Sequence, residues 1–151
     1  MPEKLEMDVI FAARRPWVPR RTQFEIWARA ALAGISRPSV LSVFVVGTAR
    51  SRSLNSRYRR KDKSTNVLSF SGAGPSPDGR NHLGELVICA PVVAREALAQ
   101  GKTRESHWAH MTVHGVLHLL GFDHQRDAEA AKMTAREIQI LDRLGFSDPY
   151  V

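Results

Sequence analysis

Apolar and polar residues alternate at the start of the chain, where Leu5, Met7, Val9 and Phe11 share one side of a half-buried strand expected over residues 5–11. The period then lengthens to that of a helix, with Phe24, Trp27, Ala31 and Leu32 on one stripe. Thr22 and Glu25 are spaced as a capping box for that helix, and Gly34 is placed to end it. Residues 40–47 are apolar enough for a central strand. Thr48 is placed to cap a short helix reaching Tyr58, with Leu54 as its apolar anchor, and residues 67–70 read as a third strand. Residues 71–81 hold three glycines and two prolines among few apolar residues, which predicts a surface loop. A fourth strand follows at 83–90, and Pro91 opens a helix that Gly101 stops. Thr103 and Ser106 begin a helix running to Leu120, with Trp108, Met111 and Leu119 facing the core. Asp127 caps a last amphipathic helix carrying Met133, Ile138, Ile140, Leu141 and Leu144, closed by Gly145. With no repeat or low-complexity linker, the pattern predicts one α+β domain over residues 1–151, a mixed sheet of about four strands or slightly more packed with about five helices.

Composition narrows the class. A chain of 151 residues can bury a core without disulfide staples, and an apolar content of 43% excludes a disordered chain. The one cysteine, Cys89, lies in the apolar run Leu86-Val-Ile-Cys89-Ala, as expected of a packed strand residue in a reducing compartment. Without a secretory leader pattern or an apolar run near 18 residues, the expected location is the cytoplasm, with no membrane partner. The net charge of +7 makes polyanions the natural partners. That charge is concentrated: Arg50, Arg52, Arg57, Arg59, Arg60, Lys61 and Lys63 fall within residues 50–63 against the single acid Asp62, a density that points to phosphate binding.

The strongest chemical signal is the run His114-Gly-Val-Leu-His118-Leu-Leu-Gly121-Phe-Asp-His124. Imidazoles four apart share one helix face and can reach a single ion. His124 is too far along a straight helix to join them, but Gly121 stands where a left-handed cap would end the helix and let the chain swing back. Three histidines with an open fourth position describe a catalytic zinc site, one ion per chain, since structural sites are usually closed by a fourth protein ligand and rich in cysteine. The spacing is that of the metzincin proteases, but Gly115 stands where they carry the glutamate base. The same helix holds His107 and His110. Helix geometry sets His110 aside as a ligand of the same ion, leaving it a core histidine or an outer contact, with the first favoured. His82 is expected to face solvent, and Asp123 to orient a ligand or to act as a base.

Taken together, the residues resemble the YbeY endoribonucleases. The carriers are Leu54-Asn55, Tyr58-Arg59-Arg60-Lys61-Asp62, Thr65-Asn66-Val67-Leu68-Ser69-Phe70, Gly84-Glu85-Leu86-Val87-Ile88-Cys89, the histidine run, and the tail from Glu137-Ile138 through Leu144-Gly145 to Pro149-Tyr150. Ser71 stands where a proline often follows that strand, and Glu85 where an aspartate is usual. The resemblance implies a zinc-dependent, single-strand-specific endoribonuclease acting in 16S rRNA 3′-end maturation and ribosome quality control. Its partners would be rRNA and the small subunit with its assembly factors, not DNA. Its metal ligands map onto His114, His118 and His124 and its catalytic arginine onto Arg59, with Arg52, Arg57, Arg60, Lys61 and Lys63 as further substrate contacts. Two rival readings remain: a non-catalytic, zinc-containing ribosome-assembly factor, and a metallopeptidase-like hydrolase.

Overall fold

The computed structural model describes residues 4–123 and 125–151. Its strands are β1 (Leu5–Phe11), β2 (Ser39–Val46), β3 (Val67–Pro75) and β4 (Asn81–Cys89); its helices are α1 (Arg21–Ala31), α2 (Thr48–Arg59), α3 (Ala90–Ala99), α4 (Arg104–Leu119) and α5 (Asp127–Arg143). The sheet order is β1-β2-β4-β3, with β1, β2 and β4 parallel and β3 antiparallel to β4. This is the single-domain α+β fold expected, a mixed sheet packed with helices.

β2 is apolar on both sides because both sides are covered. Leu41, Val43 and Val45 join the main core with α1, α4 and α5, while Val46 joins a smaller cluster of Leu68, Val87, Cys89 and Val92, against which Phe44, Leu54 and Phe70 pack. Cys89 is fully buried, as expected. Helix α4 is the centre of the main core: residues from His107 to Leu117 are buried nearly all round, with Trp108 edge-on to Phe24 of α1. Gly115 lies so close to β4 that a Cβ there would meet Leu86 Cδ2 at 2.7 Å. Position 115 therefore faces the sheet, and no glutamate base fits there. Among the described residues, no helix is long and apolar enough to cross a membrane.

Several local expectations shift. Thr103 caps α4 as expected, accepting from Ser106 N, but α1 begins at Arg21, and its first turn is closed by the Gln23 side chain accepting from Arg20 N. Thr48 and Asp127 are first helical residues, with Gly47 and Arg126 as the caps, and Pro91 sits one residue inside α3. His82 is half-buried on β4, not solvent-facing. The largest correction concerns residues 71–81. Most of the expected loop is the paired end of a hairpin, in which β3 and β4 continue to Pro75 and from Asn81 and only residues 76–80 turn. Its glycines serve close strand approach. At the register shift between Ser71 and Gly74, a Cβ on Gly84 (φ +136) would stand 2.0 Å from Phe70 O, and one on Gly72 would stand 2.5 Å from His82 O.

These obstacles are backbone atoms, which cannot step aside as a side-chain end can. Gly84→Ala is therefore expected to cost more than about 2 kcal/mol, and Gly79→Ala, at φ +87 in open space, only about 1 kcal/mol. Urea unfolding midpoints compare the two, and equal losses would show that the close approach at Gly84 carries no weight.

Candidate metal centre

Helix α2 is polar over most of its surface, yet it buries Ser51 and Asn55. Both hold the chain that follows. Ser51 Oγ accepts from Thr65 N and donates to Thr65 O, each at 3.0 Å, and Asn55 Nδ2 donates to Lys63 O at 2.9 Å. Arg60, in the left-handed region at φ 57, ends the helix so that residues 61–65 can fold back along it. The last helical residue, Arg59, then reaches edge strand β3. Its Nη2 donates to Ser69 O at 3.0 Å, its Nη1 to Tyr58 O at 3.3 Å, and its guanidinium lies over the Phe70 ring.

On the other wall, α4 stops at a left-handed turn. Gly121 has φ +101, its N–H donates to His118 O, and Phe122 N donates to Leu117 O, the two-bond closure that a glycine cap provides. Between these walls lies a cleft of about 650 Å³. Arg59 and Lys61 line it from the end of α2, Asn66 and Ser69 from the β3 side, His114 and His118 from α4, and Asp123 and Gln125 from the chain beyond. Leu119, expected in the core, is half-buried and lines it too.

Within the cleft, His118 Nε2 and His114 Nε2 are 3.2 Å apart. Two nitrogens each about 2.0–2.1 Å from a tetrahedral zinc would be about 3.3 Å apart, so the pair is spaced to share one ion. The far side of the His114 ring explains its orientation. Nδ1 lies 3.3 Å from Glu137 Oε2, a carboxylate on α5 that is 1% exposed. Burial pushes the Glu137 carboxyl up, but hydrogen bonds and charge from His110 and His114 outweigh it and hold the group well below the usual carboxylate range. Nδ1 of His114 thus faces the carboxylate, and its Nε2 is turned toward His118.

His110 is buried: its Nε2 lies 2.6 Å from Glu137 Oε2, while its Nδ1 has no hydrogen-bond partner among the described residues. Burial also pushes its pKa down, favouring the neutral ring. His110, His114 and Glu137 bring donor atoms within 4.8 Å of one another and could themselves hold an ion. The 2.6 Å contact, however, is a hydrogen-bond length, shorter than the edge of about 3.3 Å between donors on one tetrahedral ion. Glu137 escaped the sequence reading of the site. Its signal was an acid on the buried stripe of α5, one turn after Met133 and one before Leu141. His124 lies outside the described residues.

The other basic residues are placed differently. Arg52 makes a two-point ion pair with Asp62, at 2.7 and 2.9 Å, which holds the exposed Asp62 carboxyl below its ordinary range. Arg57 lies over the Tyr58 ring. Arg52, Arg57, Arg60 and Lys63 are not among the residues that line the cleft.

A solution structure of TM1509 from Thermotoga maritima, 20% identical, matches with a TM-score of 0.62 over 92% of this chain and 89% of that one, so the two share a fold. A family model described as Endoribonuclease YbeY matches residues 19–145, a span that takes in α1 to α5 and both walls of the cleft. The chain belongs to the endoribonuclease YbeY family.

Proposed function

We propose that the chain is a single-strand-specific, zinc-dependent endoribonuclease acting in 16S rRNA 3′-end maturation and ribosome quality control, in the cytoplasm and in contact with the small subunit and its assembly factors. The observation that carries the catalytic reading is the pair of Nε2 atoms of His114 and His118, 3.2 Å apart in the cleft that Arg59 also lines. Family membership supports RNA as the substrate. His114, His118 and His124 are the proposed ligands; Asp123 and Gln125, on either side of His124, both line the cleft.

A zinc ion held there would supply a bound water of lowered pKa and a Lewis acid for a phosphoryl oxygen. Arg59 holds the scissile phosphate. A guanidinium has five N–H donors, so anchoring through Ser69 O and Tyr58 O leaves donors for phosphoryl oxygens and fixes the charge where negative charge gathers. Lys61 on the same wall binds the RNA backbone as a mobile point charge. Arg52, Arg57, Arg60 and Lys63 extend the positive surface along which the strand approaches, and act through phosphates without reading sequence. With position 115 packed against Leu86, the peptidase reading lacks the glutamate base that its spacing calls for.

Purified protein should carry about one zinc per chain, and His118→Ala should lose most of it while remaining folded, because His118 is only partly buried. Elemental analysis with circular dichroism checks both; full zinc in the variant would remove His118 from the ligand set. Arg59→Lys keeps the charge but loses the planar fork, so single-turnover cleavage of single-stranded RNA should fall by roughly 10²-fold, about 2.7 kcal/mol, with little change in affinity. Equal rates would leave Arg59 without a catalytic part. RNA binding without cleavage by zinc-loaded wild-type protein would instead favour the assembly-factor reading.

A further inference from the structure

Glu137 collects donors from two parts of the fold. His110 Nε2 and His114 Nδ1 approach it from α4, and Tyr150 of the segment after α5 places its hydroxyl 3.1 and 3.0 Å from the two carboxylate oxygens. Tyr150 also meets the His110 ring edge-on, with its hydroxyl 3.2 Å from His110 Nε2. The segment is fastened next door, where Lys102 Nζ donates to Pro149 O at 2.5 Å, and again where Tyr150 N donates to Asp148 Oδ1 at 2.8 Å. A carboxylate has about four acceptor sites, and three donor groups around it fix its rotamer.

The geometry points to Glu137 and Tyr150 as positioning residues of the metal centre: Tyr150 holds the Glu137 carboxylate, which holds the His114 ring so that Nε2 stands beside His118 Nε2. The inference rests on the proposed zinc site, and it ties the segment after α5 to metal affinity although that segment lines no part of the cleft. Removing Tyr150 Oη loosens the carboxylate, and the cost appears as a smaller fraction of His114 rings in the ligating orientation. Neutralising Glu137 does more. An amide oxygen in the place of Oε2 can still accept from both histidines, but the charge is lost, and an amide turned the other way sets its NH₂ group against both donors.

The test is zinc affinity by competition with a chromophoric chelator on the full chain, with Tyr150→Phe, Glu137→Gln and His118→Ala beside wild type. The thermal melting of each metal-free protein is recorded in parallel. Outer contacts of metal-bound histidine typically govern 10–100-fold in affinity, so Glu137→Gln should weaken zinc binding by about that factor and Tyr150→Phe by roughly severalfold. Both should still bind one equivalent, and cobalt substituted for zinc should keep the wild-type absorption band shape. Unchanged affinity in Tyr150→Phe and Glu137→Gln would overturn the inference. So would a lowered melting temperature with unchanged affinity, which is the mark of a merely structural role. A Glu137→Gln protein with no zinc and an altered cobalt spectrum would make Glu137 a ligand instead. Failure of the underlying zinc proposal looks different, because wild type itself would then bind no stoichiometric zinc.

Discussion

A carboxylate removed from water must be met by donors, and Glu137 imposes that requirement at the junction of α4, α5 and the segment after α5. Two histidines of α4 and the Tyr150 hydroxyl meet it. Each is held by that contact at a defined distance, which sets how α5 lies on the core helix and which way the His114 ring faces. An apolar residue at 137 would pack as well, but it would leave the polar atoms of His110 and His114 without this partner. The polar cluster and the core are therefore one construction.

Helix α4 carries both burdens. Its middle is buried almost all round, with Trp108 and Gly115 pressed against α1 and β4, so its position is set by packing to within fractions of an ångström. The cleft-facing histidines inherit that rigidity. The opposing wall is less deeply packed and is fixed by polar means: Ser51 and Asn55 tie residues 61–65 to α2, and the edge strand offers Ser69 O to Arg59. Positive charge is thus set beside a rigid pair of imidazoles by two different kinds of adhesion, hydrophobic on one side and hydrogen-bonded on the other.

The basic run is divided by geometry in a way charge density alone does not reveal. Arg59 and Lys61 turn into the cleft; Arg52 is engaged with Asp62 and Arg57 with an aromatic ring. One helix with a left-handed last turn is enough to send neighbouring cations in different directions, because successive residues of a helix lie about 100° apart around its axis. A long-range positive field still arises from all of them, those outside the cleft included.

Much of this was legible in the residues, for reasons of periodicity and spacing. Every helix and strand was expected, and all but β3, which runs five residues further, lie at nearly their expected places because burial on one face leaves a repeat in the chain; the His114 and His118 pairing follows from helical geometry. Gly121 announced its own turn, since only a left-handed residue ends α4 with two closing bonds. What failed were signals that require knowing a partner. Residues 71–81 looked like a loop because glycine marks both flexible turns and close backbone approach, and only the pairing of β3 with β4 says which. The cap of α1 went to Gln23 because a backbone N–H takes whichever oxygen the chain entry presents. The contacts of Ser51, Asn55 and Glu137 were not foreseen, since a polar residue is assigned to the surface until another element closes over it. The sequence by itself determined the local elements and the donor pair on one helix face. The tertiary structure alone decided which polar groups would be stripped of water together, and so which carboxylate holds the ring of His114.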